Sequence, residues 1–214
     1  MRKTGMLIIA LLLGAVGSAF ADGVTYDVTV DTSSISGTSG SLDFQFDSGP
    51  FTSQAASLQI LGFTTDGTLG ASVLTGDVTG NLPGTVLFDN GTSYNDYFTG
   101  FTYGTTLSFS VNLFGPAVDA PDGVSTSGSV FAFSMFSDAA GSVPVLTSDQ
   151  VNGFALVTDI NLDGSTTLAN NSAQTTATQE GGSVPTPEPS SLALMLGGTG
   201  LLGLLMMRKR VLLG

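Results

Sequence analysis

Cysteine, histidine and tryptophan are absent from this 214-residue chain, and its few basic residues are confined to the two ends. Without cysteine the fold has no disulfide and must be stabilised by core packing alone. Without histidine and cysteine there is no imidazole base active near neutral pH, and no thiolate nucleophile or ligand. The central residues also lack the lysine and arginine that phosphate clamps, Schiff bases and cationic oxyanion sites require. These absences exclude most hydrolase and transferase mechanisms, and we predict a protein that is not an enzyme.

Charged residues are scarce and unevenly placed. They form 10% of the chain, against roughly 25% in an average soluble protein. All 17 acidic residues lie between the basic residues of the two ends, so the body of the chain is purely acidic. Such a surface repels nucleic acid, whose binding depends on lysine and arginine. We predict no nucleic-acid partner.

The N-terminal 21 residues have the pattern of a secretory signal peptide. Two basic residues are followed by an apolar run at 6–16, and Ala19 and Ala21 form an A-x-A cleavage site. We predict that signal peptidase removes residues 1–21 and that the body is exported. An uncleaved N-terminal anchor is the alternative.

The C-terminal residues have three parts in a fixed order. Pro187-Glu188-Pro189 precedes an apolar run at 192–207, and Arg208-Lys209-Arg210 follows at once. The run gives roughly 24 Å of helix, and flanking side chains extend it toward the ~30 Å of a hydrocarbon core. We predict one transmembrane helix at 192–207, with the basic triplet in the cytoplasm and the body in the periplasm.

This order resembles the PEP-CTERM sorting signal of Gram-negative bacteria. The resemblance implies that an exosortase in the inner membrane cleaves near the Pro-Glu-Pro motif and passes the body to the cell surface or the exopolysaccharide matrix. The implied sorting residues are Pro187, Glu188, Pro189, Arg208, Lys209 and Arg210. A plain single-span anchor that no exosortase processes is the alternative.

The body has the pattern of a β protein. Short runs such as 24–30 and 107–114 alternate apolar and polar residues, and turn dipeptides such as Asp66-Gly67 separate them. We predict an all-β, single antiparallel β-sandwich, jelly-roll-like, over residues 22–170. A disordered, flexible linker at 171–186 and the sorting signal at 187–214 complete the predicted domains.

One short motif has the spacing of calcium ligands. Asp159, Asn161 and Asp163 precede Gly164 as in a D-x-N-x-D-G loop, whose side-chain oxygens can converge on one cation. Position twelve is Asn170 rather than a bidentate glutamate, and a strand running into an Asp-Gly hairpin explains the same residues. Calcium is the one candidate cofactor.

A second stretch combines aromatic rings with polar side chains. Tyr94, Tyr97 and Tyr103 lie close in sequence to aspartates and an asparagine, and rings beside carboxylates and amides can bind sugars. The alternative is a turn and a strand whose aromatics belong to the core. An aspartate-dependent glycosidase would instead need a cleft with two carboxyls roughly 5–10 Å apart.

Together these observations favour an exported, non-enzymatic surface or matrix protein with a structural or adhesive β-sandwich. The hypothesis from another class is a carbohydrate-binding module for exopolysaccharide, which predicts exposed tyrosines where the first predicts buried ones.

Overall fold

The computed structural model describes residues 23–180, and within them the chain forms twelve β-strands and one short helix. The strands are β1 (Val24–Asp31), β2 (Ser39–Ser48), β3 (Ser57–Thr65), β4 (Thr68–Thr75), β5 (Val78–Gly80), β6 (Val86–Asp89), β7 (Asp96–Thr102), β8 (Thr106–Phe114), β9 (Ser129–Phe136), β10 (Phe154–Ile160), β11 (Thr166–Asn170) and β12 (Thr175–Gln179). The helix α1 (Pro116–Asp119) lies between β8 and β9, and a 3-10 turn at Ser33–Ile35 lies between β1 and β2.

The strands form two six-stranded sheets in which every pairing is antiparallel. Sheet A has the order β12-β1-β8-β3-β6-β5, and sheet B has the order β11-β10-β9-β2-β7-β4. The chain changes sheet at most of its connections, so that neighbours in sequence are seldom neighbours in a sheet. The predicted all-β class with antiparallel sheets is confirmed.

The alternation of residue types explains why these segments are strands. In β8 the side chains of Leu107, Phe109, Val111 and Leu113 are buried, and the polar residues between them are half-buried or exposed. Successive side chains of a strand point to opposite faces, so an alternating sequence buries one face and leaves the other to water. The buried faces of the two sheets meet in one apolar core.

Three phenyl rings join the two sheets at the centre of this core. Phe109 of sheet A lies 5.2 Å from Phe44 and 5.0 Å from Phe133 of sheet B, and these two rings are 4.9 Å apart. Aromatic pairs at such distances add about 0.5–1.5 kcal/mol each to the free energy of burial. Packing of this kind stabilises the chain where no disulfide does.

Consecutive strands in opposite sheets lie at both side edges of the sandwich. β4 and β5 contact each other across one edge, and β11 and β12 do so across the other. A side-chain hydrogen bond of 2.7 Å between Tyr26 of β1 and Thr166 of β11 also links the sheets.

The strand β12 corrects the predicted domain boundary. Residues 171–186 were expected to be a linker, but Thr175–Gln179 pair with β1, with Thr175 opposite Val30. The segment has one apolar residue in five, so it shows no alternation of residue types. Its position is fixed by main-chain pairing at the edge of sheet A, and the folded body extends beyond the predicted end at 170.

Several predicted features lie outside the described residues. These are the signal peptide at 1–21, the end of the linker from 181, the transmembrane helix at 192–207 and the basic triplet at 208–210. Between residues 23 and 180, the structure contains no helix of the length and hydropathy needed to cross a membrane.

Candidate functional site: an acidic cleft on sheet B

A cleft lies on the outer face of sheet B, between strands β2 and β7 and the segment 137–153 that connects β9 to β10. Alternation along β2 turns Asp43 and Gln45 outward, while Leu42, Phe44 and Phe46 enter the core. In β7 the same alternation turns Asp96 and Phe98 toward the cleft. The cleft is open to solvent and has a volume of about 440 Å³, which is in the range of small-ligand sites.

The register of β2 and β7 brings two carboxyl groups together. Gln45 lies directly opposite Asp96, and Asp43 lies opposite Phe98, so Asp43 and Asp96 are diagonal neighbours. Diagonal neighbours on one face of a sheet are within reach of each other's side chains. The two carboxyls are close enough for a direct hydrogen bond.

Each of these aspartates is 8% exposed. The side-chain amide of Gln45 donates a hydrogen bond of 2.8 Å to Oδ2 of Asp43. The Oδ1 atoms of Asp43 and Asp96 are both buried, and neither receives a hydrogen bond from any donor in residues 23–180. Two ionised carboxylates can only accept hydrogen bonds, so this contact requires a proton or a cation between them.

Burial raises the pKa of the Asp43 carboxyl well above its ordinary value, and its hydrogen bond with Asp96 and the negative charge of Asp96 raise it further. Burial also raises the pKa of Asp47, which accepts a hydrogen bond of 2.7 Å from the backbone N–H of Asn95. Like charges in a shared, partly dry site disfavour double ionisation. In the absence of a cation, Asp43 therefore retains its proton to a higher pH than an ordinary aspartate.

Tyr94 lies beside the pair at the edge of the cleft. Its side chain is 46% exposed. Partial burial raises the pKa of the phenol to about 12, and the negative charges of Asp96 and Asp43 add to the effect. Tyr94 therefore stays protonated and presents a neutral hydroxyl to the acidic cleft.

The segment 137–153 is held in shape by its own aspartates. Asp138 accepts hydrogen bonds from the backbone N–H groups of Ala140, Ser142 and Val143, and its carbonyl oxygen accepts one of 2.8 Å from the hydroxyl of Ser41 in β2. Asp149 does the same for two later backbone N–H groups. These bonds lower the pKa of both carboxyls, which remain charged. The turns so fixed place Gln150 and the residues after it at the cleft.

The chemistry of the cleft follows from this inventory. Its polar groups are carboxyls, side-chain amides and hydroxyls, and residues 23–180 contain no lysine, arginine or histidine. The arrangement suits a cation or a ligand rich in hydroxyl groups.

The predicted tyrosine set does not form a surface, and this prediction is corrected. Tyr97 and Tyr103 are 1% and 2% exposed, because alternation in β7 and the turn after it points both rings into the core. The Tyr97 hydroxyl donates to Asn81 at 2.6 Å, and the Tyr103 hydroxyl lies 2.9 Å from the carbonyl oxygens of Ser41 and Phe136. Tyr94 is the one member that a ligand can reach.

The predicted calcium loop forms a hairpin between β10 and β11. Asp159 pairs with Thr167, and the Asn161 amide donates to the hydroxyls of Ser165 and Thr167 at 3.0 and 2.9 Å. Asp163 accepts a bond of 3.0 Å from the backbone of Ser165. The side chains of Asn161 and Asp163 thus have partners within the hairpin, and calcium binding there stays a prediction. No cluster of three or more acidic residues suited to a metal ion occurs in the part of the chain that the structure describes.

Sequence reasoning missed Asp43. The signal available was its place in "LDFQF", where a carboxylate stands in mid-strand rather than in a turn, in a body that has no basic residue to pair with it. Asp96 is one of the aspartates that lie close to the tyrosines in sequence, but its partner lies on a strand about fifty residues earlier.

Comparison with known proteins identifies the C-terminal residues rather than the cleft. Residues 185–210 match the PEP-CTERM protein-sorting motif, a range that includes all six predicted sorting residues. No curated protein and no solved structure matched the chain.

Proposed function

We propose that this protein, which carries a PEP-CTERM protein-sorting motif, is processed by an exosortase and delivered to the cell surface or the exopolysaccharide matrix, where its β-sandwich has a non-enzymatic structural or adhesive role. The motif match at 185–210 is the observation that carries the proposal, because that motif marks exosortase-targeted surface proteins. The sandwich is the cargo that the motif delivers.

The proposed route combines the motif with the sequence features at both ends. Signal peptidase removes residues 1–21, the apolar segment 192–207 holds the body on the periplasmic side of the inner membrane, and the exosortase then cuts near Pro187-Glu188-Pro189. The competing outcome is an uncut single-span anchor with the same sandwich outside the membrane.

The composition of the described body supports a structural or adhesive role. Its surface carries acidic groups without a single basic side chain in residues 23–180, and like charges keep such a surface hydrated and prevent association between copies. Its turns are fixed by aspartates that bond to nearby backbone N–H groups, as at Asp66, Asp122 and Asp138.

A carbohydrate-binding role is the second candidate, and the cleft on sheet B favours it. Tyr94 offers a half-exposed ring, while Gln45, Gln150 and Asn152 offer amides beside the carboxyls of the pair. Aromatic rings with amides and carboxyls are the groups that bind sugar hydroxyls. In this proposal exopolysaccharide occupies the cleft, and the tyrosines of the core have no part in binding.

The test is the mass of the C-terminus of the protein recovered from its native cells. We expect the wild-type chain to end close to Pro187-Glu188-Pro189, and a variant with Arg208-Lys209-Arg210 replaced by glutamine to keep its tail. Glu180→Gln, which removes a charge just outside the motif, is the control and should be cut normally. An intact tail on the wild-type protein would refute processing and leave the membrane anchor.

A further inference from the structure

We propose that the cleft on sheet B binds a divalent cation of the calcium class, with the carboxylates of Asp43 and Asp96 as its charged ligands. This site is separate from the hairpin at 159–164, and it does not depend on the sorting route. It is argued from the geometry of the pair and from the charges of the whole described body.

The first argument is the state of the carboxyl oxygens. Both Oδ1 atoms are buried in residues that are 8% exposed, and neither has a donor. A buried polar atom without a partner is rare in folded proteins and calls for a specific explanation. Two such atoms on facing carboxylates, at the floor of one cleft, mark a place where positive charge belongs.

The second argument is that the described body cannot supply this charge. Buried carboxylates are usually paired with arginine or lysine or coordinate a metal. Residues 23–180 contain no arginine, lysine or histidine. The titratable side chains of the elements that form the cleft, besides the pair itself, are Asp47, Tyr94, Tyr97, Asp138 and Asp149, and none of them becomes positive. The counter-ion must come from solution, as a proton or as a metal cation.

The third argument is the supply of further oxygen ligands. Calcium takes six to eight oxygens at about 2.3–2.6 Å in irregular geometry. Besides the two carboxylates, the cleft is lined by the amides of Gln45, Gln150 and Asn152 and by Tyr94. Gln45 now donates its Nε2–H to Asp43, and a flip of that amide turns its oxygen toward a bound cation. Because the site has two charged ligands rather than three or four, we expect a dissociation constant of about 10⁻⁴–10⁻³ M, as in extracellular calcium modules.

The experiment is calorimetric titration of the full chain, purified in detergent, with calcium chloride at pH 7. We expect one saturable site. Asp43→Asn and Asp96→Asn should each weaken binding at least about tenfold. Asparagine resembles the protonated acid, so the fold should be retained, and circular dichroism checks this.

Asp159→Asn makes the same chemical change at the hairpin of the same sheet, and it distinguishes the two candidate calcium sites. If calcium binds in the cleft, this variant should leave the affinity unchanged. Loss of binding in Asp159→Asn with retention in Asp43→Asn would assign calcium to the hairpin and overturn the proposal. Absence of a saturable site up to about 10 mM calcium, or binding that both cleft variants retain, would overturn it as well.

Discussion

Replacing Asp43 by asparagine should make the protein more stable at neutral pH, although it removes a carboxyl group from a strand facing solvent on one side. The folded state raises the pKa of Asp43, chiefly by burial. The unfolded chain releases this proton near the ordinary value of 3.8, whereas the folded protein retains it to a higher pH. Stability from this group is thus fully present below about pH 4 and falls as the pH rises through the window between the two pKa values.

The magnitude follows from the number of protons involved. One extra proton bound by the folded state lowers the free energy of unfolding by about 1.4 kcal/mol for each pH unit. Over the three units from pH 4 to pH 7 the upper limit is about 4 kcal/mol. The cleft is open to water, which screens the pair, so we expect Asp43→Asn to gain about 1–2 kcal/mol at pH 7.

The assay is urea unfolding of wild type and variant at pH 5, 6, 7 and 8, with a chelator present so that no cation occupies the cleft. The wild-type free energy of unfolding should decrease from pH 5 to pH 8, and the decrease should be smaller in Asp43→Asn. The pKa of Asp47 is also raised, which accounts for the pH dependence that remains in the variant. Asp159→Asn in β10 controls for the loss of one negative charge. A variant less stable than wild type at pH 7, or one with an unchanged slope, would refute the reasoning.

Two further predictions concern the core. Phe109→Ala removes the ring that joins the sheets and should lower the free energy of unfolding, measured in urea, by about 3–5 kcal/mol. The control is Phe51→Ala, at a side chain that is 72% exposed, which should change this free energy by less than about 0.5 kcal/mol. Equal effects of the two substitutions would contradict the described core. Tyr97→Phe leaves the backbone N–H of Leu82 and the Asn81 side chain without their phenol partner. It should lower the free energy of unfolding by about 1–2 kcal/mol without weakening the binding of the protein to immobilised polysaccharide. Weaker binding with unchanged stability would show that Tyr97 belongs to a binding surface.

The parts of the fold that sequence could predict are those whose information is local. β1 and β8 show a period of two over most of their length, and the turn dipeptide Asp66-Gly67 stands between β3 and β4. The sorting motif is contiguous as well, and its match confirms that prediction. In contrast, β5 has three residues and β12 has one apolar side chain, so neither carries a pattern long enough to distinguish it from a loop.

The candidate site could not be predicted because it depends on register. Asp43 and Asp96 meet through the pairing of β2 with β7, and no local pattern fixes which strands become neighbours. The tyrosines were misplaced for a related reason. Tyr97 and Phe98 are adjacent in β7 and point to opposite faces, so the sequence does not show which ring enters the core. The second sheet decides which face is buried.

The pairing of β1 with β12 sets the order in which the body can be completed. β1 is among the first segments of the body to be synthesised and β12 is the last of the twelve strands, so the outer edge of β1 stays uncovered until residue 179 has been made. Pairings between such distant segments close large loops and form slowly. An open strand edge during that delay invites pairing with another chain. A chain that stops at residue 170 would keep this edge for good, and its newly made copies would meet one another edge to edge before they were finished.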